Sequence, residues 1–320
     1  MRGIDIHLSS WSLASRLLVF LLMIPTLFTA CTSTLEIPPW LDAIHRLPVK
    51  TIVVKGNRIA YTESGNGPPV ILVHGFGGSM WQWEYQQSLS ASYRLITLDM
   101  LGAGLSDKPK IDYTPAQLVD FMRDFLNALQ IRQASLVGNS MGAGVVIGMA
   151  LTYPDRVDKL VLIDGFPDHI RDKVTSPSLR RALGPWPPLW MVKLGNWFAG
   201  RGTTKTILSE MVYDDQLLTP AVVDRSNRNR QRPGLFLPLR ATVNNLPLWE
   251  DGFAKHIGEI RHPTLILWGE KDAVFPLAVG HQLHDTMPGS AFHIIPHAGH
   301  IAMWEQPDVV NPLLSKFLRP

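Results

Sequence analysis

Short, mostly apolar runs recur along this chain at 70–73, 93–98, 134–137, 157–163, 264–268 and 291–295. Each is only four to seven residues long, and most lack the alternation of a strand with one wet face. A strand of that kind needs cover on both sides, which a parallel sheet between two helix layers provides. The fold class expected is therefore α/β, with a mostly parallel sheet flanked by helices. In such sheets ligands sit at the carboxyl ends of the strands, and the glycine-rich and polar residues of this chain cluster there.

The intervening segments supply the helices. Between 115 and 129, Leu118, Phe121, Met122, Phe125 and Leu129 share one helical face. A helix of small and apolar residues is expected over 141–153, another near Leu277 to Thr286, and a last one after His300. Residues 51–61 read as two strands around a Gly56-Asn57 turn. From 166 to 246 the rhythm breaks into a stretch rich in Pro, Trp and Arg. A structureless loop of that length is implausible in a compact domain, so a mostly helical insertion over the strand ends is expected. The domain plan is thus a core over 49–165, a cap or lid over 166–246, and the rest of the core over 247–320.

The N-terminus reads separately. Arg2 and Arg16 precede an apolar run over 17–30, and Cys31 follows at once. The run is short of the roughly 20 residues of a membrane span and suits a signal peptide over 1–31. Leu27-Phe28-Thr29-Ala30-Cys31 resembles a bacterial lipoprotein signal, which would place the protein outside the cytoplasm, held to the cell envelope through a lipidated Cys31. An ordinary signal peptide, or an anchor extended by Trp11 to Leu13, is the alternative. A Pro-rich tether follows over 32–48.

Bulk composition removes other classes. Thirty bases against 27 acids leave a net charge of +3, too little for a nucleic-acid-binding field. The basic run from Arg225 to Arg232 has no interleaved aromatics and reads as a solvated surface. A single cysteine excludes an internal disulfide and a cysteine-based zinc site. The eleven histidines form no metal-binding motif, and neither Gly102-Ala-Gly104 nor Gly142-Ala-Gly144 extends to a dinucleotide fingerprint. No metal and no cofactor is expected.

What remains is Gly138-Asn139-Ser140-Met141-Gly142, lying between a strand and a helix. So tight a turn strains the backbone at the serine, and the flanking glycines remove side chains that would clash. A neutral serine needs a general base and a group to orient that base. His297 and His300 follow the last strand, Asp272 follows the one before it, and Asp164 the one before that. All four can converge on Ser140.

Taken in order, His74-Gly-Phe-Gly-Gly78, the Leu98-to-Asp107 turn, the Ser140 pentapeptide, Gly269-Glu-Lys-Asp272 and Gly299-His300 resemble the successive signatures of the α/β-hydrolase superfamily. The resemblance covers about Val49 to the C-terminus. It implies Ser140 as nucleophile, His300 as base and Asp272 as its partner, with the backbone N–H groups of Phe76 and Met141 as oxyanion hole. His74 then holds the oxyanion loop, and Asp99 and Asp107 cap a turn. Trp81, Trp83, Trp186, Trp190, Trp197 and Phe198 are candidates for an apolar acyl pocket, or for plain packing between cap and sheet.

The exported, apolar-capped form resembles bacterial lipases and esterases, which implies hydrolysis of a small-molecule ester or acyl lipid. The same elbow also occurs in carbon–carbon bond hydrolases of ring-cleavage products, which usually carry Trp after the catalytic histidine where this chain has Ile301. A slow-turnover small-molecule sensor on the same fold is the other alternative.

Overall fold

The computed structural model describes residues 47–319, apart from the side chains at 189, 193 and 196–199. The expected signal peptide, Cys31 and nearly all of the tether lie outside the described residues.

Eight strands form one sheet: β1 (Lys50–Val54), β2 (Asn57–Ser64), β3 (Pro69–Val73), β4 (Arg94–Leu98), β5 (Ala134–Asn139), β6 (Val157–Ile163), β7 (Thr264–Gly269) and β8 (Ala291–Ile295). Their spatial order is β1-β2-β4-β3-β5-β6-β7-β8. β1 and β2 form an antiparallel edge, β2 is antiparallel to β4, and every pairing from β4 through β8 is parallel. The two-strand reading of 51–61 and the parallel block both match the architecture.

Successive side chains on a strand face opposite ways, so each apolar run feeds two cores. Ile71 and Val73 of β3 join a core with Ile96, Leu98, Leu136 and Leu162. Val70 and Leu72 join another with Leu95, Val137, Val161 and Ile163. The first core is covered by α1 (Pro115–Ala128) and α2 (Met141–Thr152). α1 starts where its sequence signals it: Gln117 N–H donates to Thr114 Oγ1, Thr114 N–H donates back to Gln117 Oε1, and Pro115 occupies the first turn. It buries Leu118, Phe121, Met122 and Phe125, as the helical spacing requires.

Five helices of seven residues or more lie between β6 and β7: α3 (Pro177–Leu183), α4 (Leu189–Ser209, broken at Gly200), α5 (Pro220–Arg230), α6 (Phe236–Asn244) and α7 (Leu246–Gly252). α8 (Leu277–Thr286) and α9 (Pro307–Leu318) complete the chain. A 3₁₀ segment, Met80–Ala91, precedes β4 and had no sequence signal of its own.

The basic run in α5 is not the solvated surface that its composition suggests. Arg225 is buried, its guanidinium forms a two-pronged ion pair with Glu84 at 2.9 and 3.0 Å, and it stacks over Trp81 at 4.4 Å. Arg230 is half-buried and donates to Thr204 Oγ1 and the Gly200 carbonyl. Only Arg228 of the helix's later arginines is exposed. The reason is partnering: Glu84 lies in the 3₁₀ segment, 141 residues away in sequence. Asn229, one turn beyond Arg225, faces the same way and donates to the Gly77 carbonyl.

Candidate active site

Ser140 sits at the one step between β5 and α2, with φ 52° and ψ −120°. An L-residue adopts this positive φ only under strain, and the surroundings hold it there. A Cβ on Gly138 would lie 2.4 Å from the Gly142 carbonyl oxygen, and one on Gly142 would lie 2.2 Å from that of Val73. Both glycines are therefore required by backbone crowding. Met141 opens α2, so its N–H has no acceptor within the helix. Its N–H and the helix dipole are available to a developing negative charge.

Strand register gathers the other groups. Val73 pairs with both Leu98 and Gly138, Asn139 pairs with Ile163, and Gly269 pairs with Ile295. The carboxyl ends are therefore level, and His74, Asp99, Ser140, Asp164, Asp272 and His300 follow them at one edge.

Of the two base candidates, the structure pairs His300 with an acid: its Nδ1 lies 2.8 Å from Asp272 Oδ2. Both side chains are buried. Asp272 Oδ1 accepts the N–H groups of Val274 and Phe275 at 2.7 and 3.0 Å, so both carboxylate oxygens are engaged and its rotamer is fixed. The Phe275 ring packs edge-on against the imidazole at 5.5 Å. His297 faces away toward Tyr213, its backbone N–H reaching Glu270.

Asp164 does not meet His300. Its Oδ1 accepts from Gly269 N–H at 2.6 Å and its Oδ2 from Ala302 N–H at 3.2 Å, tying β7 to the turn after His300. Burial, reinforced by nearby Asp272, pushes its carboxyl well above the usual range. Two ionised carboxylates so close would repel. The carboxyl that bonds His300 is therefore that of Asp272, while Asp164 is taken up by backbone N–H groups.

The oxyanion-loop assignments have the same physical character. His74 is buried; its Nδ1 meets the Gly75 carbonyl at 2.8 Å, and its Nε2 accepts Met100 N–H at 3.1 Å. That pattern requires the neutral ring with the proton on Nδ1, and burial lowers its pKa. Asp99 accepts Met80 N–H and Leu105 N–H, while Asp107 accepts Arg58 N–H. All three residues shape turns.

Three residues that sequence reasoning left without a role complete the frame. Asn139 is fully buried, and its amide donates to the Ile163 and His300 carbonyls at 3.1 and 3.0 Å, linking the Ser140 turn to the histidine. Gln82 accepts Gly75 N–H, steadying the loop that carries Phe76. Glu305 accepts Gly299 N–H at 2.8 Å and Tyr213 N–H at 2.6 Å, while His300 N–H donates to the Met211 carbonyl. Burial raises the Glu305 carboxyl to about 7. Its position five residues past His300 was the only available signal, and it indicates nothing without the partner backbone.

Ser140 and His300 open onto a cavity of about 240 Å³ between core and cap. Trp81, Trp186, Ile207, Leu208 and Leu239 give it a mainly apolar wall, with Ser226, Asn229 and Arg230 on the cap side. Of the aromatic candidates, Trp81 and Trp186 line this space, whereas Trp83 is in the sheet core and Trp190 is exposed. The side chains of Trp197 and Phe198 lie outside the described set. Among the described residues, no cluster of His, Cys, Asp or Glu is placed to hold a metal ion.

The model for the alpha/beta hydrolase fold family matches residues 68–307. The chain belongs to that family. It is 31% identical over 271 residues to a 2-hydroxy-6-oxononadienedioate/2-hydroxy-6-oxononatrienedioate hydrolase of Comamonas testosteroni, covering 82% of this chain and 91% of that one. The solved meta-cleavage product hydrolase of Pseudomonas fluorescens IP01 superposes with a TM-score of 0.73 at 28% identity, over 85% of this chain and 98% of that one. A thermophilic esterase from Thermogutta terrifontis shares the fold, with a TM-score of 0.69 at 24% identity over 85% and 98% of the two chains. The protein is thus an α/β-hydrolase of the serine hydrolase class.

Proposed function

We propose that this α/β-hydrolase cleaves carboxylic esters with an apolar acyl group, through an acyl-enzyme on Ser140. His300 Nε2 takes the Ser140 proton as Oγ attacks the carbonyl carbon. The carbonyl π electrons move to oxygen, where the N–H groups of Phe76 and Met141 stabilise the negative charge by about 3 kcal/mol per donor. The Nδ1–H of His300 donates to Asp272, which fixes the ring and stabilises the imidazolium. Collapse expels the alcohol, which takes its proton from His300. Water, deprotonated by His300, then attacks the acyl-enzyme and regenerates Ser140.

The observation that carries the ester reading is the mainly apolar cavity beside Ser140. An apolar acyl chain gains from such a wall about 25 cal/mol per Å² buried.

A second reading is carbon–carbon bond hydrolysis. It is favoured by the 31% identity with the Comamonas enzyme, and by Arg230 on the cavity wall, which a substrate carboxylate could meet. A series of nitrophenyl esters from acetyl to palmitoyl, run beside a ring-cleavage dienoate, decides between them. The ester reading expects repeated turnover of esters with an optimum set by the cavity. Dienoate turnover with no ester turnover would establish the second reading instead. A single burst without turnover would mark a sensor.

A further inference from the structure

The first half of α4 has an apolar face that neither the sheet nor the cavity uses. Trp190 is 66% exposed, and Met191 and Leu194 are each 46% exposed. Positions i, i+1 and i+4 form one continuous strip on a helix. Only eight large hydrophobics are exposed among the described residues, and three of them fall in this five-residue stretch. Isolated exposed apolar residues need no explanation, but a cluster marks a binding surface.

Charge indicates what binds there. From Lys173 to Ser209 the sequence holds six bases and no acid. The whole chain has an excess of only three positive charges, so the rest of it is net acidic. Within this stretch Lys173 pairs with Asp168 and Arg201 with Asp224; Arg180, Arg181 and Lys205 are exposed, Arg181 within reach of the Glu210 carboxylate. A helix with Trp, Met and Leu outward, in a stretch of the chain that is basic in sequence, has the composition of a segment lying in the headgroup layer of an anionic bilayer.

The strip is also placed between walls of the cavity. Trp186 precedes it, and Thr204, Ile207 and Leu208 follow it on the same helix beyond the break at Gly200, where φ is 51°. We propose that the first half of α4 docks the cap onto an anionic lipid surface, with Trp190, Met191 and Leu194 entering the interface and the exposed Arg180, Arg181 and Lys205 of the same stretch meeting lipid phosphates. This docking needs no particular hydrolytic reaction. It places the cap beside a reservoir of apolar acyl groups.

Its test reads position rather than turnover. The full-length chain carrying Cys31→Ser and Leu194→Cys is labelled at residue 194 with an environment-sensitive NBD dye. A control chain carries Cys31→Ser and Val53→Cys, an exposed position on β1. Vesicles of phosphatidylglycerol and phosphatidylcholine are expected to shift the emission at residue 194 to the blue and to make it quenchable by doxyl lipid. They should leave residue 53 unchanged. Adding Arg180→Glu and Arg181→Glu is expected to weaken the response about fivefold or more per charge, as is raising the salt. Equal responses at 194 and 53, or none at 194, would overturn the proposal. So would emission at 194 that is already blue without vesicles, which would show the strip covered by the chain's own N-terminal segment or by a second copy.

Discussion

The core and the cap of this hydrolase obey different constraints. In the core, the site is fixed by the backbone itself. Gly138 and Gly142 have no room for a Cβ, Ser140 is held at a positive φ, and the strand ends are level by register. In the cap, the positions are fixed by side chains that find partners far along the chain. Arg225 reaches Glu84, Asn229 reaches the Gly77 carbonyl, and the Glu305 carboxylate holds the Tyr213 N–H. Crowded backbone leaves its mark in residue type, whereas a long-range partner leaves none. The two regions should accordingly fail in different ways when perturbed.

The largest expected effect lies in the core and touches chemistry alone. Ser140→Ala should reduce kcat on the order of a millionfold, as loss of a nucleophile does in comparable triads, with Tm preserved or raised because the strained residue loses no packing. Steady-state kinetics and thermal unfolding check both halves, and retention of substantial turnover would contradict the assignment.

In the cap, the counterpart is a stability effect. Arg225→Met leaves Glu84 buried without its cation and should cost about 3 to 5 kcal/mol in urea unfolding. Adding Glu84→Gln, which can keep accepting the Trp304 indole N–H, should recover most of that loss. Failure of the double variant to recover would show that packing over Trp81, rather than charge, holds the cap.

Gly142→Ala tests the backbone side of the comparison. Its new Cβ meets the Val73 carbonyl oxygen at 2.2 Å, and a cost of about 3 kcal/mol or more is expected. A fully stable variant would mean that the glycine is not sterically required.

The smallest expected effect joins the two regions, because Glu305 bonds both the His300 turn and the cap residue Tyr213. Burial raises its carboxyl from 4.5 to about 7, so the folded state holds its proton more tightly than the unfolded chain. The resulting stability is complete below about pH 4.5 and is lost as pH rises through 7, by at most about 3 kcal/mol. Glu305→Gln removes this titration. Its Tm relative to the parent should therefore rise between pH 5 and pH 8, and a constant difference would contradict the linkage.

Much of the core was legible for the same reason that it is crowded. The apolar runs, the Thr114 capping box and the glycines around Ser140 each state a local physical requirement. Asp272 was separated from Asp164 only through family resemblance, and the structure supplies the physical ground: Asp272 bonds His300, whereas Asp164 bonds the Gly269 and Ala302 N–H groups. The cap was legible as an interruption and little more. Its arginines were expected in water and its tryptophans in the pocket or packed between cap and sheet, yet Arg225 is buried and Trp190 is exposed. Neither reversal can be read without Glu84 or the cavity wall in view.

The central claim is covalent chemistry at Ser140. Rapid quenching of the enzyme during turnover of a nitrophenyl ester, followed by peptide mass spectrometry, tests it most directly. The expected result is a mass increase equal to the acyl group on the peptide containing Ser140, absent from Ser140→Ala. Ester turnover at full rate with no adduct at Ser140, or with the adduct on another residue, would contradict it.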